Sequence, residues 1–252
     1  MLLDKDISVI NFSGVYESED FWKQFKNPRF IDCSDLSGTD CICDDYALSS
    51  IKERLKDNQV RPEGIHFIDS GNYHYMSHIM TSLIHEDFVL VYFDHHPDMK
   101  PSVFGDVLSC GSWVRNALIS SFHMKRVYGC GIDEKLIGEI GSEITEPFIL
   151  EKRLEFCSPK DVCGASFDDL PIYLSIDKDV LPSNLMRTNW DQGDMTFDLL
   201  KEILTSFIQN ENVIGIDICG EPELFQKDID VAKETKKSSD INKQILDICL
   251  NY

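Results

Sequence analysis

Two short acidic motifs, each at the end of an apolar stretch, carry the residue types of a metal site. The apolar run 88–93 is followed by three residues that can bind a divalent ion: Asp94, His96 and Asp98. The apolar run 171–176 is followed by two more carboxylates, Asp177 and Asp179. Successive side chains of a strand point to opposite faces, so a spacing of two places Asp94 and His96 on one side. Hard divalent ions such as Mn²⁺ bind carboxylate oxygen and imidazole nitrogen, and a two-metal site needs carboxylates that bridge. The two motifs therefore predict a two-metal site.

The segments that must position these motifs are predicted to be alternating strands and helices. Runs rich in β-branched and aromatic residues are typical of strands, and they cover 7–12, 29–33, 64–69, 88–93, 125–131, 171–176 and 213–218, with a weaker strand at 147–150. Helices are predicted over 17–26, 44–56, 74–85, 112–121, 197–208 (with Thr196 as N-cap) and 228–250, the last with an interruption near Ser238. This alternation predicts one α/β domain, residues 1–252, whose parallel sheet is covered by helices on both faces.

Ligands of such sheets bind beyond the carboxyl ends of the strands, and polar residues gather there in this chain. They lie in the segments 69–74, 94–98, 177–179 and 217–221. His74 follows a glycine-containing turn at the end of the strand 64–69, so we expect it to be a further metal ligand. His95 alternates with Asp94 and His96, so we expect its side chain to point away and to pack or to support a ligand. The other four histidines are expected to be structural: His66, His78, His85 and His123.

Composition restricts the partners and the compartment. The 252 residues carry a formal net charge of −20, which argues against nucleic acid or an anionic membrane as a partner, because phosphate binding needs a basic surface. The sequence shows neither a signal-peptide pattern nor an apolar run of membrane-spanning length. Its nine cysteines are scattered and odd in number, which is typical of free thiols in a reducing cytoplasm. The one close pair, Cys41 and Cys43, has no matching second pair, so a zinc site is not expected there. We therefore expect a soluble, cytoplasmic protein.

Three motifs together resemble those of the ureohydrolase superfamily, which includes arginase, agmatinase, formiminoglutamase and guanidinobutyrase. The family's G-G-D-H turn, D-A-H-x-D strand end and S-x-D-x-D strand end stand here as Gly71-Asn72-Tyr73-His74, Asp94-His95-His96-Pro97-Asp98 and Ser175-Ile176-Asp177-Lys178-Asp179. The resemblance runs from about residue 64 to residue 222 and is strong at the ligand positions. It implies a three-layer αβα sandwich on a mainly parallel sheet, a fold shared with metal-dependent deacetylases.

The resemblance also implies a cofactor and an activity. Two divalent metal ions, Mn²⁺ by analogy with the family, would be bound. One ion would be held by His74, Asp94, Asp98 and Asp177, and the other by Asp94, His96, Asp177 and Asp179, with Asp94 and Asp177 bridging. The implied reaction is hydrolysis of a C–N bond in a small guanidino or amide compound by a metal-bridging hydroxide. Asp98 would orient the attacking water.

The surroundings of the predicted metal centre depart from the family pattern. Cys110 stands where arginase has a proton-shuttling histidine, and we expect it either to act in catalysis or only to line the pocket. The family's substrate-binding glutamate would fall at Gly220, but the nearest acid is Glu221, which would bind a cationic group or cap the turn at Pro222. The D-P pair that follows the second motif in the family is missing. The family's glycine-rich substrate loop corresponds to 188–194, where the specificity candidates are Trp190, Asp191 and Gln192.

The sequence leaves alternatives to an arginase-type hydrolase. A metal-binding protein of this fold without ureohydrolase activity is one, and the cysteine at position 110 favours it. An amide deacetylase of the same fold is another, although those enzymes use a mononuclear site with fewer ligands. The substrate, the choice among Mn²⁺, Zn²⁺ and Fe²⁺ and the number of subunits stay open. A homo-oligomer is expected by resemblance, with the segment from residue 228 onward as a contributor.

Overall fold

A computed structural model describes residues 6–102, 105, 107–227 and 229–251. Its centre is an eight-stranded sheet in which every pairing is parallel. In chain order, the strands are β1 (Ile7–Asn11), β2 (Arg29–Asp32), β3 (Ile42–Cys43), β4 (Gly64–Phe67), β5 (Phe88–Phe93), β6 (Leu108–Ser109), β7 (Met124–Cys130), β8 (Leu154–Cys157), β9 (Ile172–Asp177) and β10 (Val213–Cys219). Strands β3 and β6 form a separate antiparallel pair outside the large sheet. The spatial order of the large sheet is β2-β1-β4-β10-β9-β5-β7-β8.

The central strands are buried on both faces, which explains their continuous apolar sequences. All six residues of β5 and all six of β9 are buried. These two strands pair in register from Val89 with Ile172 to Phe93 with Ile176. Strands buried on both faces have apolar residues at every position, whereas a half-exposed strand alternates. Because β9 and β5 are neighbours, the two acidic motifs emerge side by side at one edge of the sheet.

Helices cover the two faces of the sheet and complete three layers. They are α1 (Asp45–Asp57), α2 (Met76–Thr81), α3 (Trp113–Ser120), α4 (Glu134–Ile140), α5 (Ser142–Leu150), α6 (Phe197–Asn210) and α7 (Val231–Asn251). One core joins the sheet to α1, α2 and α3, and the other joins it to α6 and α7. The side chains of Asp44 and Thr196 cap α1 and α6 by accepting backbone N–H groups, as expected of N-cap residues. The predicted αβα sandwich with a mainly parallel sheet is confirmed.

Two local predictions are wrong. The segment 17–26 is not a helix: a short 3₁₀ helix, Val15–Ser18, is followed by turns. Tyr16 and Phe21 are both buried in the core, and five positions apart they would lie about 140° apart around an α-helix. The segment 147–150 is not a strand but the end of α5, where Phe148 packs against the core and Leu150 is 74% exposed.

Other differences from the expected elements are smaller. Strand β8 and the antiparallel pair β3 with β6 were not predicted. The final helix is continuous through Ser238, and Asp228, where it was expected to begin, lies outside the described residues. None of the helices within the described ranges combines the length and the apolar character needed to cross a membrane.

Candidate metal centre

Three strands of the sheet deliver the predicted ligands to one place. The chain leaves β4 through Asp69 and a 3₁₀ turn, Gly71–Tyr73, that ends at His74. It leaves β5 directly into 94–98, and it leaves β9 at Asp177 into the 3₁₀ turn Lys178–Val180. Since β4 lies two strands away from β9, and β5 lies next to β9, the carboxyl ends of all three strands converge.

One cluster forms around His74, which is 2% exposed. Its Nδ1 lies 3.2 Å from Asp94 Oδ2, 3.2 Å from Asp98 Oδ2 and 3.5 Å from Asp177 Oδ2. The other ring nitrogen, Nε2, lies 3.0 Å from the hydroxyl of Ser175. A ring nitrogen that faces three carboxylates while the opposite nitrogen is fixed by a hydrogen bond is typical of a metal-binding histidine.

A second cluster forms around His96. Its Nδ1 lies 2.8 Å from Asp179 Oδ2 and 3.6 Å from Asp94 Oδ1. Backbone N–H groups orient these carboxylates: that of His96 donates to Asp94 Oδ1 at 2.6 Å, that of His95 donates to Asp179 Oδ1 at 3.0 Å, and that of Asp179 donates to Asp177 Oδ1 at 2.9 Å. Asp94 belongs to both clusters and presents one oxygen to each.

The pKa values of several site residues are shifted because their charged groups are buried close together. Burial raises the pKa of the carboxyls of Asp98 and Asp177. Burial, together with the charge of Asp94, raises the pKa of Asp179 to about 6. Burial opposes a charge on His96, but its hydrogen bonds to Asp179 and Asp94 raise its pKa to about 11. Buried carboxylates this close together repel one another, and bound cations would compensate that repulsion.

The residues present fit a binuclear centre for divalent ions. The donors are carboxylate oxygens and imidazole nitrogens, the set that Mn²⁺, Fe²⁺ and Zn²⁺ accept. Within the described residues, Asp94 Oδ2 is buried without a hydrogen-bond partner, although it points at the His74 cluster. A buried carboxylate oxygen without a partner is costly unless a cation satisfies it.

A cavity of about 260 Å³ opens onto both clusters. It is lined by both predicted metal-binding histidines, by Cys41 and Cys110, by the charged side chains of Lys100 and Glu139, and by Trp190. The ring of Trp190 lies 5.8 Å from that of His96, and its Nε1 donates to Asn72 Oδ1 at 2.9 Å. Gly71 is required beneath this ring, because a Cβ there would lie 2.7 Å from Trp190 Cδ1.

Cys110 lines the cavity, as expected, but its thiol contacts the thiol of Cys41 rather than a metal ligand. The backbone N–H of Cys110 donates to the carbonyl of Cys41 at 2.9 Å. The contact with Cys41, followed by burial, raises the pKa of the Cys110 thiol far above its ordinary value. The thiol is therefore protonated at neutral pH.

Glu221 lies outside the cavity. Its carboxylate is fully buried and accepts hydrogen bonds from Lys178, from Ser238, and from Asn242 Nδ2 at 2.7 Å. Ser238 and Asn242 belong to α7, so the carboxylate faces the helical layer instead of the metal clusters. The structure thus does not bring Glu221 together with the other predicted site residues.

The specificity candidates in the loop 188–194 have different positions. Trp190 lines the cavity, and Asp191 is exposed. Gln192 stabilises the loop itself, because its Nε2 donates to the carbonyls of Leu181 at 3.0 Å and Met186 at 3.1 Å.

Three residues of the site were not predicted from the sequence. Trp113 donates its Nε1–H to Asp98 Oδ2 at 2.6 Å. Ser175 contacts His74, and Cys219 donates its thiol hydrogen to Asp177 Oδ2 at 3.0 Å. Position 175 belongs to the S-x-D-x-D motif, which offered a signal, whereas Trp113 and Cys219 reach the site only through the packing of distant segments.

Comparisons with known proteins place this geometry in a structural context. No family model matches the chain. An uncharacterized protein of Thermotoga maritima is 29% identical over 223 residues, which are 88% of this chain and 82% of that protein. Among solved structures, a putative agmatinase from Clostridium difficile has a TM-score of 0.67 at 17% identity, covering 98% of each chain. A variant of Trypanosoma cruzi formiminoglutamase, solved with Mn²⁺, has a TM-score of 0.69 at 13% identity, covering 96% of this chain and 92% of that one. The resemblance predicted from the sequence motifs is confirmed for the fold.

Proposed function

We propose that this chain is a divergent ureohydrolase that uses two divalent metal ions to hydrolyse a C–N bond of a small guanidino or related amide compound. The observation that carries the proposal is the pair of adjacent clusters, around His74 and His96, that share Asp94. The fold supports it, since structures named agmatinase and formiminoglutamase superpose on nearly the whole chain.

All six predicted ligand positions contribute to the proposed centre. His74, Asp94, Asp98 and Asp177 would hold one ion, and Asp94, His96, Asp177 and Asp179 would hold the other. Mn²⁺ is the proposed metal, because the ligands are mostly carboxylates and because one structural neighbour contains it. When bound, the ions would lower the pKa of a water molecule and polarise the carbon under attack.

The residues of the chain would position the reactants. Asp98 would accept a hydrogen bond from the attacking water, and Trp113 restrains that carboxylate by donating to Oδ2. Trp190 covers His96 and would limit the access of bulk water to the reacting groups. Neither task requires a side chain to change its charge during the reaction.

The cavity supports a small substrate with a polar end. Its volume of about 260 Å³ suits a compact molecule, and its charged lining residues are Lys100 and Glu139 beyond the metal clusters. Because Glu221 faces α7, Glu139 is the better candidate for contact with a cationic group of the substrate. The net charge of −20 supports the proposal that nucleic acid and anionic membranes are not partners. A homo-oligomer stays a prediction.

The first experiment is elemental analysis of the purified protein, with Asp94→Ala and Asp177→Ala as variants. We expect about two metal ions per chain in the wild type. Because each variant removes a carboxylate that would contribute to both ions, both should lose metal while their circular dichroism stays that of a folded α/β protein. Urea release from arginine, agmatine and guanidinobutyrate would then be measured on the metal-loaded protein. A well-folded wild type that binds one ion or none would contradict the binuclear mechanism.

One alternative is favoured by a specific observation. The family's proton-shuttling histidine is replaced by Cys110, whose thiol contacts Cys41, which supports a metal-binding protein of this fold without ureohydrolase turnover. The two possibilities differ in the same assay: two bound ions with no turnover of any guanidino or acylated amine would favour the alternative.

A further inference from the structure

Among the described residues, Cys219 is a cysteine whose thiol lies against a predicted ligand of the proposed metal centre. It is the last residue of β10 and pairs in register with Asp177 at the end of β9. Parallel neighbours in register project their side chains to the same side of the sheet. The Cys219 side chain is fully buried, and its Sγ lies 3.0 Å from Asp177 Oδ2.

The thiol belongs to a group of three atoms that could bind one metal ion. Cys219 Sγ, a carboxylate oxygen of Asp177 and a ring nitrogen of His74 all lie within 4.8 Å of one another. The same histidine lies 3.2 Å from Asp94 Oδ2, the buried oxygen without a hydrogen-bond partner in the described chain. That buried oxygen points to a cation at the His74 cluster, and this observation does not involve the cysteine.

The backbone around Cys219 permits this close approach. Gly220 has a φ of +89°, which a residue with a side chain rarely adopts. A Cβ at position 220 would lie 2.5 Å from Asp177 Oδ1 and 2.7 Å from the backbone nitrogen of Lys178. Glycine at this position therefore allows the end of β10 to lie against the ligand-bearing end of β9.

We infer that Cys219 is an additional ligand of the metal ion at His74 and that it raises the affinity of this site for thiophilic ions such as Zn²⁺ or Co²⁺ relative to its affinity for Mn²⁺. The inference rests on the proposed function, since it concerns the same centre. Binding breaks the S–H bond, the sulfur donates its electron pair to the ion, and the proton goes to solvent. Soft thiolate ligands select such ions, whereas carboxylates alone suit Mn²⁺. The His96 site contains only oxygen and nitrogen donors and keeps the preference of those donors.

The test uses Co²⁺ as a spectroscopic probe on the full chain. Metal-free protein is titrated with Co²⁺, and the absorption is recorded together with the number of ions bound. We expect a thiolate-to-cobalt charge-transfer band in the near ultraviolet for the wild type and its loss in Cys219→Ser, whose hydroxyl can still donate to Asp177. Cys110→Ser is the matched control, because that thiol lines the cavity outside the ligand clusters, and it should keep the band.

A competition experiment supplies a second measurement. At the His74 site, the ratio of Zn²⁺ affinity to Mn²⁺ affinity should fall roughly tenfold or more in Cys219→Ser. Should Cys219→Ser fail to fold, Cys219→Ala is titrated in its place, and the wild-type spectrum by itself can still overturn the inference. Two bound Co²⁺ ions without a charge-transfer band in the wild type would overturn this inference and leave the binuclear centre intact. A wild type that binds no Co²⁺ would overturn both.

Discussion

At the residue scale, the predicted metal ligands depend on neighbours that hold them in place. Trp113 is fully buried, lies beside His74 with ring centroids 4.8 Å apart and ring planes inclined at 48°, and donates to Asp98 Oδ2. A single indole thus restrains two predicted ligands of the same ion. Such supporting contacts fix the direction of a ligand's lone pairs before the metal binds.

Replacing Trp113 by Phe should therefore weaken the centre without removing a ligand. We expect the metal affinity or the turnover of the metal-loaded protein to fall about 10- to 100-fold, the range for lost supporting partners of metal ligands. Isothermal titration with Mn²⁺ and a urea-release assay would measure this. Trp22→Phe is the control, since Trp22 packs against Phe30 away from the centre and should bind metal normally.

Cys110 allows a prediction about proton transfer. Because its contact with Cys41 and its burial keep the pKa of the thiol far above neutrality, the thiol cannot exchange protons readily at pH 7. We expect Cys110→Ala to change kcat by less than about threefold, compared with the 10²- to 10⁴-fold typical of a lost general acid or base. A larger loss, accompanied by a changed pH profile, would establish the catalytic role.

At the element scale, the turn that carries Asp177 and Asp179 is hydrogen-bonded to α7. Lys178, which lies between the two ligands in sequence, is fully buried and forms an ion pair with Glu221. Its Nζ also donates to Ser238 Oγ at 2.6 Å and to Asn242 Oδ1 at 2.7 Å. The final helix therefore helps to set the position of two predicted metal ligands that lie on the opposite side of the turn.

Removing one member of this pair should destabilise the fold. Glu221→Ala would leave the Lys178 ammonium buried without its counter-ion, at a cost of about 3–5 kcal/mol in the free energy of unfolding. The double variant Lys178→Met with Glu221→Ala should lose less stability than the sum of the losses in Lys178→Met and Glu221→Ala, because neither charge stays uncompensated. Urea denaturation would measure all four free energies.

A second substitution of Glu221, by glutamine, distinguishes the two roles considered for this residue. If its carboxylate bound the substrate, Glu221→Gln would raise KM while the stability stayed near that of the wild type. The observed contacts lead us to expect the opposite result: lower stability, with KM unchanged in the fraction that remains folded.

Strand β4 contains an acid-sensitive histidine. His66 is 1% exposed, its Nδ1 has no hydrogen-bond partner among the described residues, and burial lowers its pKa from 6.5 to about 4. Above pH 6.5 it is neutral in both the folded and the unfolded chain and has no effect. As the pH falls from about 6.5 to about 4, the unfolded chain binds a proton that the folded chain excludes, which costs up to about 3 kcal/mol.

In His66→Gln, the free energy of unfolding should fall less over this pH range than in the wild type, since glutamine does not titrate. Chemical denaturation between pH 4 and pH 7 would give the free energy of unfolding for both proteins. His85→Gln serves as the control because His85 is exposed, and its profile should follow that of the wild type. If the free energy of unfolding changed with pH equally in His66→Gln and in the wild type, His66 would not be the source of the acid sensitivity.

At the scale of the whole molecule, the proposed centre exists only when the sheet is complete. His74, Asp94 and Asp177 come from three strand ends that are far apart in the sequence and adjacent in the fold. An unfolded chain cannot assemble such a set, so an ion binds the folded protein preferentially.

Metal should consequently raise the thermal stability of the wild type. At a free concentration of 100 times Kd, one bound ion adds about 2.7 kcal/mol to the free energy of unfolding, and a chelator should remove this gain. Differential scanning calorimetry at several Mn²⁺ and Zn²⁺ concentrations would measure the shift in Tm. Asp177→Ala should show little response, and an equal response in both proteins would place the ions elsewhere.

The sequence by itself determined the fold class, and it predicted six ligand positions that the structure places in two adjacent clusters. Both depend on local patterns: apolar runs of strand length, and carboxylates and a histidine spaced by two at the points where strands end. Parallel sheets place these ends at one edge, so His96 and Asp179 could be assigned to one site without knowledge of the register. Segments without a periodic pattern, such as 17–26 and 147–150, were assigned wrongly because tertiary packing decided their conformation.

Only the tertiary structure decided which polar side chains join the centre. Glu221 and Cys219 are two residues apart, yet Cys219 lies against Asp177 while Glu221 is paired with Lys178 under α7. The positive φ of Gly220 turns the chain between them, and their partners Asp177 and Lys178 are each more than forty positions away in sequence. Contacts over such distances depend on strand register and helix docking, which no local pattern of residues specifies.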